Sequence, residues 1–177
     1  MRKNNKRHEI LAAALRVVQD RGANHLTIDA VAEESGFSKG GVLYHFNTKQ
    51  ALLGGMLQNL LDENRQRVIE AMQGHEGEGL LPSLMRARAR SNEVERQSTL
   101  ALLAVAAEDS ELIQPAKELA REWFGSIRSE ADDSLEATVL LLASEGLRFL
   151  TLLGLNPLSK EEEGQINQLL VQRAGEV

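Results

Sequence analysis

Cysteine is absent from the 177 residues. That excludes disulfides, thiolate nucleophiles and cysteine-ligated zinc, and it fits a reducing cytoplasm. Proline is scarce, at Pro82, Pro115 and Pro157, so long helices are seldom interrupted. Aromatic residues make up only 3% of the chain. No apolar run approaches the ~18 residues that a membrane span needs. The basic start, Met1-Arg2-Lys3-Asn4-Asn5-Lys6-Arg7, is followed by no apolar stretch and cleavage site, so a secretory signal is not expected. Common catalytic signatures are missing as well: there is no Gly-x-Ser-x-Gly, no His-Glu-x-x-His, no P-loop and no dinucleotide fingerprint. His75-Glu76-Gly77-Glu78 has no second histidine near it in the chain and makes a poor metal site. The expectation is a protein without catalytic residues, metal or cofactor.

What is present is helical periodicity nearly throughout. The pattern predicts an all-α protein of about nine helices, near 6–21, 28–35, 38–45, 48–73, 80–91, 95–107, 110–130, 133–154 and 159–173. Ile10, Leu11, Ala14, Leu15, Val17 and Val18 form the buried side of the first. Leu52, Leu53, Met56, Leu57, Leu60 and Leu61 form the stripe of the fourth. Gly22 stands where a left-handed C-cap is wanted. Thr27, Ser38 and Asn47-Thr48 are N-cap residues. Asp133 to Glu136 and Ser159 to Glu162 have capping-box spacing. Gly74 to Gly79, rich in glycine and acid, reads as a loop.

Charge is unevenly placed. The whole chain carries −6. Residues 1–50 hold eight Lys/Arg against five Asp/Glu, a net +3, and the remainder holds twelve against twenty-one, a net −9. Phosphate is drawn to local potential rather than to net charge, so a basic head on an acidic body suits a protein that binds phosphate at one end. A charged tail with no partner would look the same.

The segment Thr27 to Phe46 carries the functional signal. Two short helices joined at Gly36 make a helix-turn-helix. The second contains Gly40-Gly41, which together cost about 2 kcal/mol relative to alanine inside a helix. A helix made only for packing seldom carries that cost, whereas one that lies close to phosphates or base edges gains from bare backbone. Ser38, Lys39, Tyr44 and His45 offer hydrogen bonds to phosphate or bases, while Phe37, Val42 and Phe46 offer an apolar side. Arg2, Lys3, Lys6 and Arg7 could enter a minor groove or form a disordered tail.

Leu26-Thr27-Ile28-Asp29-Ala30-Val31-Ala32, then Gly36 through Phe46, then Thr48-Lys49-Gln50-Ala51-Leu52 closely resemble the DNA-binding domain of TetR-family transcriptional regulators. The resemblance spans about residues 7–55. It implies a DNA-binding domain over 1–50 and a dimerisation and ligand-binding domain over 51–177. It implies phosphate contacts from Thr27 and Lys49, and backbone and base contacts from Ser38, Lys39, Gly40, Gly41, Tyr44 and His45. Many members carry tyrosine where this chain has Leu43. The implied function is a repressor that binds a palindromic DNA operator as a homodimer and is released by a small-molecule effector. The alternative is a helical adaptor that keeps the fold without specific DNA binding.

The C-terminal part is less explicit. Helix 133–154 is apolar over a wide arc, and Ala143 and Gly146 would admit another helix. Leu142, Ala143, Gly146, Phe149, Leu150, Leu169 and Leu170 are the candidate dimer interface, with a deeply buried core helix as the other reading. Trp123 and Phe124, with Arg88 and Glu108, are the candidate ligand-binding residues, although a Trp-Phe pair also suits a core. Arg86, Arg88 and Arg90 alternate and cannot share one helix face.

Overall fold

The computed structural model describes residues 2–75, 77–90, 99, 103, 109 and 111–177, with backbone alone for Arg2, Lys3, Asn4 and Ala23. Among these residues there are eight α-helices and no strand: α1 (Arg2–Arg21), α2 (Ile28–Ser35), α3 (Lys39–His45), α4 (Lys49–Met72), α5 (Leu80–Ala89), α6 (Gln114–Glu130), α7 (Ser134–Leu152) and α8 (Lys160–Ala174). The helix expected over 95–107 lies almost wholly outside the described residues, as does Glu108. No helix among the described residues is long and apolar enough to cross a membrane.

Most boundaries follow from local chemistry. Thr27 and Ser38 are extended N-caps whose hydroxyls accept the Ala30 and Gly41 N–H groups, satisfying donors that a helix start leaves open. Thr48 does the same for Ala51. Gly36, at φ +71°, closes α2 in the left-handed conformation that glycine adopts without steric cost. Ser159 and Glu162 form a complete capping box, and the two hydrogen bonds from Ser159 hold the Glu162 carboxyl below its usual pKa. Asp133 accepts both the Leu135 and Glu136 N–H groups.

Two boundaries differ from the periodic reading. The first helix starts at Arg2 rather than near residue 6, because nothing in Arg2 to Glu9 breaks a helix. The basic start is therefore helical, not an extended arm. The helix expected over 110–130, α6, starts at Gln114 rather than near 110. Pro115 suits a first turn, where its missing N–H is not needed, and cannot sit deeper. The preceding residues form a turn in which Glu111 N–H donates to the Asp109 carboxylate.

The chain divides into two compact units, Met1–Asp62 with Glu93–Ala116, and Glu63–Asn92 with Lys117–Val177. In the first, Ile10, Leu11, Ala14, Val17 and Val18 of α1 pack with Val31, Val42 and Phe46 and with Leu52, Leu53, Met56, Leu57 and Leu60 of α4. This core fixes α2 and α3 on α1 and α4. Arg16 pairs with Glu34 and ties α1 to α2 at the surface. In the second, Val68, Leu81, Leu84, Met85, Ile127, Ala137, Leu141, Leu170 and Ala174 form the core. Trp123 and Phe124 are half-buried against it. The α4 helix is continuous and contributes residues to both units.

Candidate functional site

The first unit presents α3 on its surface. Val42 is fully buried and Phe46, just after the helix, is 3% exposed. These two apolar side chains hold the helix down. Phe46 N–H also closes the last turn onto the Val42 carbonyl at 2.8 Å. The Phe46 ring lies under the Arg7 guanidinium, 5.2 Å from its centroid. A methyl group on Gly55 would come within 2.6 Å of the Phe46 ring carbon Cε1, so the bare backbone of α4 at Gly55 is what admits the ring.

The opposite side of α3 is open. Lys39, Gly40, Leu43 and Tyr44 are exposed, whereas Gly41 and His45 are half-buried. The two glycines thus have different surroundings. A Cβ on Gly41 would lie 3.2 Å from the capping Ser38 Oγ, which gives that glycine a reason within the fold. A Cβ on Gly40 would meet nothing within 4 Å among the described residues. Tyr44 is 70% exposed and meets His45 edge to face. The Lys39 ammonium pairs with Asp29 of α2 at 2.9 Å. Both side chains are well exposed, so the pair contributes little stability, but it holds Lys39 at the junction of the two helices. Thr27 and Ser38 cap α2 and α3 with their hydroxyls at the surface, and Lys49 opens α4, also exposed. Caps, bare backbone and cations therefore gather around one short helix, as a surface that accepts phosphates and base edges requires. Leu43 was not among the residues drawn from the sequence, yet it lies within this open side.

The second unit holds a polar cluster at Trp123. Arg88 of α5 stacks on the Trp123 ring, 5.8 Å from its centroid, and pairs with Glu145 of α7. Arg148 reaches the same carboxylate with Nε at 3.0 Å and Nη2 at 2.9 Å. Burial, and then the neighbouring Arg148 charge, push the Arg88 guanidinium down to about 9. Burial also lowers Arg148. Arg86 points elsewhere and pairs with Glu78, as spacing of two on a helix requires. Glu145 was not foreseen from sequence, being 57 residues from Arg88. Removing the carboxylate that both guanidiniums share, in Glu145→Ala, should cost the second unit about 3 kcal/mol, read as a lowered thermal unfolding midpoint. An unchanged midpoint would show the cluster to be solvated.

The candidate interface residues divide by exposure. Leu142 (55%), Phe149 and Leu150 (42% each) and Leu169 (56%) are exposed, as are Ala143 and Gly146. Leu170 instead lies in the core of the second unit at 9%. On α7, Leu135, Val139, Leu142, Gly146 and Phe149 form one exposed stripe at spacings of three and four, continued by Leu153 at its C-cap, while Ala137, Leu141, Ser144 and Leu147 are buried on the other side.

Comparison with known proteins agrees with this arrangement. Residues 10–56 match the bacterial regulatory proteins of the tetR family. Residues 79–175 match the tetracyclin repressor-like C-terminal domain. An uncharacterized HTH-type transcriptional regulator of Bacillus subtilis, YfiR, is 35% identical over 66 residues, covering 37% of this chain and 32% of that relative. The aligned part is thus about a third of the relative's length. Among solved structures, a regulator from Saccharomonospora viridis in complex with choline has a TM-score of 0.75 at 20% identity, covering 96% of this chain and 95% of that one. The multidrug binding protein EbrR in complex with imidazole has a TM-score of 0.67 at 24% identity, covering 97% and 96%. At these identities the structural likeness is one of fold, over nearly the whole chain. With the two family matches together spanning both the helix-turn-helix and the C-terminal helices, the chain belongs to the TetR family of transcriptional regulators.

Proposed function

We propose that the protein is a sequence-specific DNA-binding regulator, a homodimer that represses from a palindromic operator and is released by a small-molecule effector. The observation that carries the DNA reading is Gly40. It weakens α3 by about 1 kcal/mol relative to alanine, and among the described residues no neighbour would obstruct a Cβ there. Its value lies in what approaches from outside, and a duplex needs such close backbone approach. In this reading Thr27, Ser38 and Lys49 take phosphates, and Lys39, Gly40, Gly41, Tyr44 and His45 meet backbone and base edges. An adaptor without DNA binding would have no use for this combination. No catalytic role is part of the proposal.

Dimerisation is supported by the exposed stripe of α7 together with Leu169 of α8. Two such helices from each chain would form a four-helix interface. A two-fold dimer sets two recognition helices about 34–36 Å apart, one turn of B-DNA. Effector binding is supported by kinship with ligand-bound relatives, those holding choline and imidazole among them. Arg88, Trp123 and Phe124 are the described residues proposed to meet the ligand, and Glu108 completes the proposed set. Coupling would run along α4, which starts at Lys49 and continues into the second unit. The effector must bind the DNA-incompetent state more tightly, since only differential affinity shifts the equilibrium.

Selection of duplexes from a random library, then titration of the enriched duplex at two salt concentrations, tests the proposal. A palindrome bound with a steep salt dependence is expected. Lys49→Ala should weaken every duplex alike and lower the salt slope by about one. Enrichment of no sequence would favour the adaptor.

A further inference from the structure

Leu43 is the one residue on the open side of α3 to which no role has been given. It is 37% exposed, three positions after Gly40 and four after Lys39, so the three share a side of the helix. A helical side chain leans toward the N-terminus, over the preceding turn. For Leu43 that turn is Gly40, which has no side chain to cover it, and among the described residues no atom lies within 4 Å of a Cβ built there, so the space beside Leu43 is open. The isobutyl group is therefore presented beside bare backbone, on the side proposed to face the duplex. Leucine has no donor or acceptor and cannot read the hydrogen-bonding edges of adenine, guanine or cytosine. One base offers an apolar group in the major groove, thymine through its C5 methyl.

We infer that Leu43 is a specificity-determining residue that packs on a thymine methyl in each half-site, while neighbouring Tyr44 supplies the hydrogen-bonding contact. The inference rests on the DNA-binding reading above and goes beyond it in naming the base.

Deoxyuridine provides the test, because it removes one methyl and leaves every hydrogen-bonding group in place. In the duplex that the wild-type chain enriches, each thymine of a half-site is replaced in turn. At one position, affinity should fall about fourfold per half-site and about fifteenfold when both half-sites are changed, the value of one methyl group each. Leu43→Ala should bind the thymine and deoxyuridine duplexes equally, and its unchanged circular dichroism would show an intact fold. Equal discrimination by wild type and Leu43→Ala, or insensitivity at every thymine, overturns the inference and leaves the DNA reading standing. Failure to enrich any duplex overturns both.

Discussion

Gly55→Ala should cost the first unit about 2 kcal/mol and lower its thermal midpoint by roughly 10 °C, with a parallel loss of DNA affinity. The added methyl would lie 2.6 Å from the Phe46 ring, and 3.3 Å from both Arg7 Nη2 and Leu11 Cδ2. A contact of 2.6 Å is too close to persist, so the ring must move. Phe46 sits at the end of α3 and is buried beside Val42, so its displacement tilts the helix that carries Lys39, Gly40 and Tyr44. The preceding residue supplies the control. A methyl on Gly54 would lie 3.5 Å from Leu112 Cδ2, an ordinary contact, so Gly54→Ala should be neutral or slightly stabilising through helix propensity. Equal midpoints for the two variants would show that Gly55 does not seat Phe46.

Leu142→Asp combined with Leu150→Asp should convert the protein to monomers, as read by sedimentation velocity. Leu142 and Leu150 are 55% and 42% exposed in the isolated chain, so about half of the ~2 kcal/mol from full burial of a leucine remains to be gained, about 1 kcal/mol each. Two-fold symmetry presents each position twice. The four copies together contribute about 4 kcal/mol, roughly a thousandfold in the dimer dissociation constant, before the cost of burying four carboxylates. Gly146→Leu separates interface from core. Among the described residues nothing lies within 4 Å of a Cβ there, so the fold should accept the side chain while a partner helix is held off. Retention of the dimer in both variants would place the interface elsewhere.

The sequence showed most clearly what is decided within a few residues. Thr27, Ser38, Thr48 and Ser159 act as caps because a hydroxyl reaches an N–H three positions on, whatever the rest of the chain does. The closed capping box at Ser159 was legible for the same reason, although the matching spacing at Asp133 gives a carboxylate that takes two backbone donors. The helix-turn-helix was legible because its glycines, caps and apolar positions are contiguous. Contacts between distant residues were not. The shared grip of Arg88 and Arg148 on Glu145 depends on how α5 and α7 pack. Nothing in the sequence around Gly55 tells that the Phe46 ring, nine positions earlier, lies against it. Leu169 and Leu170 are neighbours in an apolar stretch, yet one is exposed and the other buried. Periodicity cannot say which arc of an all-round apolar region faces its own core, and α7, apolar on two sides, raises the same ambiguity. The exposed side of α3 likewise became visible only when Val42 and Phe46 fixed its rotation, which turned Gly41 and His45 partly inward and brought Leu43 into view.

Docking of α3 in the major groove as one of a symmetric pair can be read by hydroxyl-radical footprinting of the enriched duplex. Two protected patches centred about one helical turn apart are expected, both lost in Tyr44→Ala and in the Leu142→Asp, Leu150→Asp variant. A single protected patch, or protection unchanged in Tyr44→Ala, would contradict this docking.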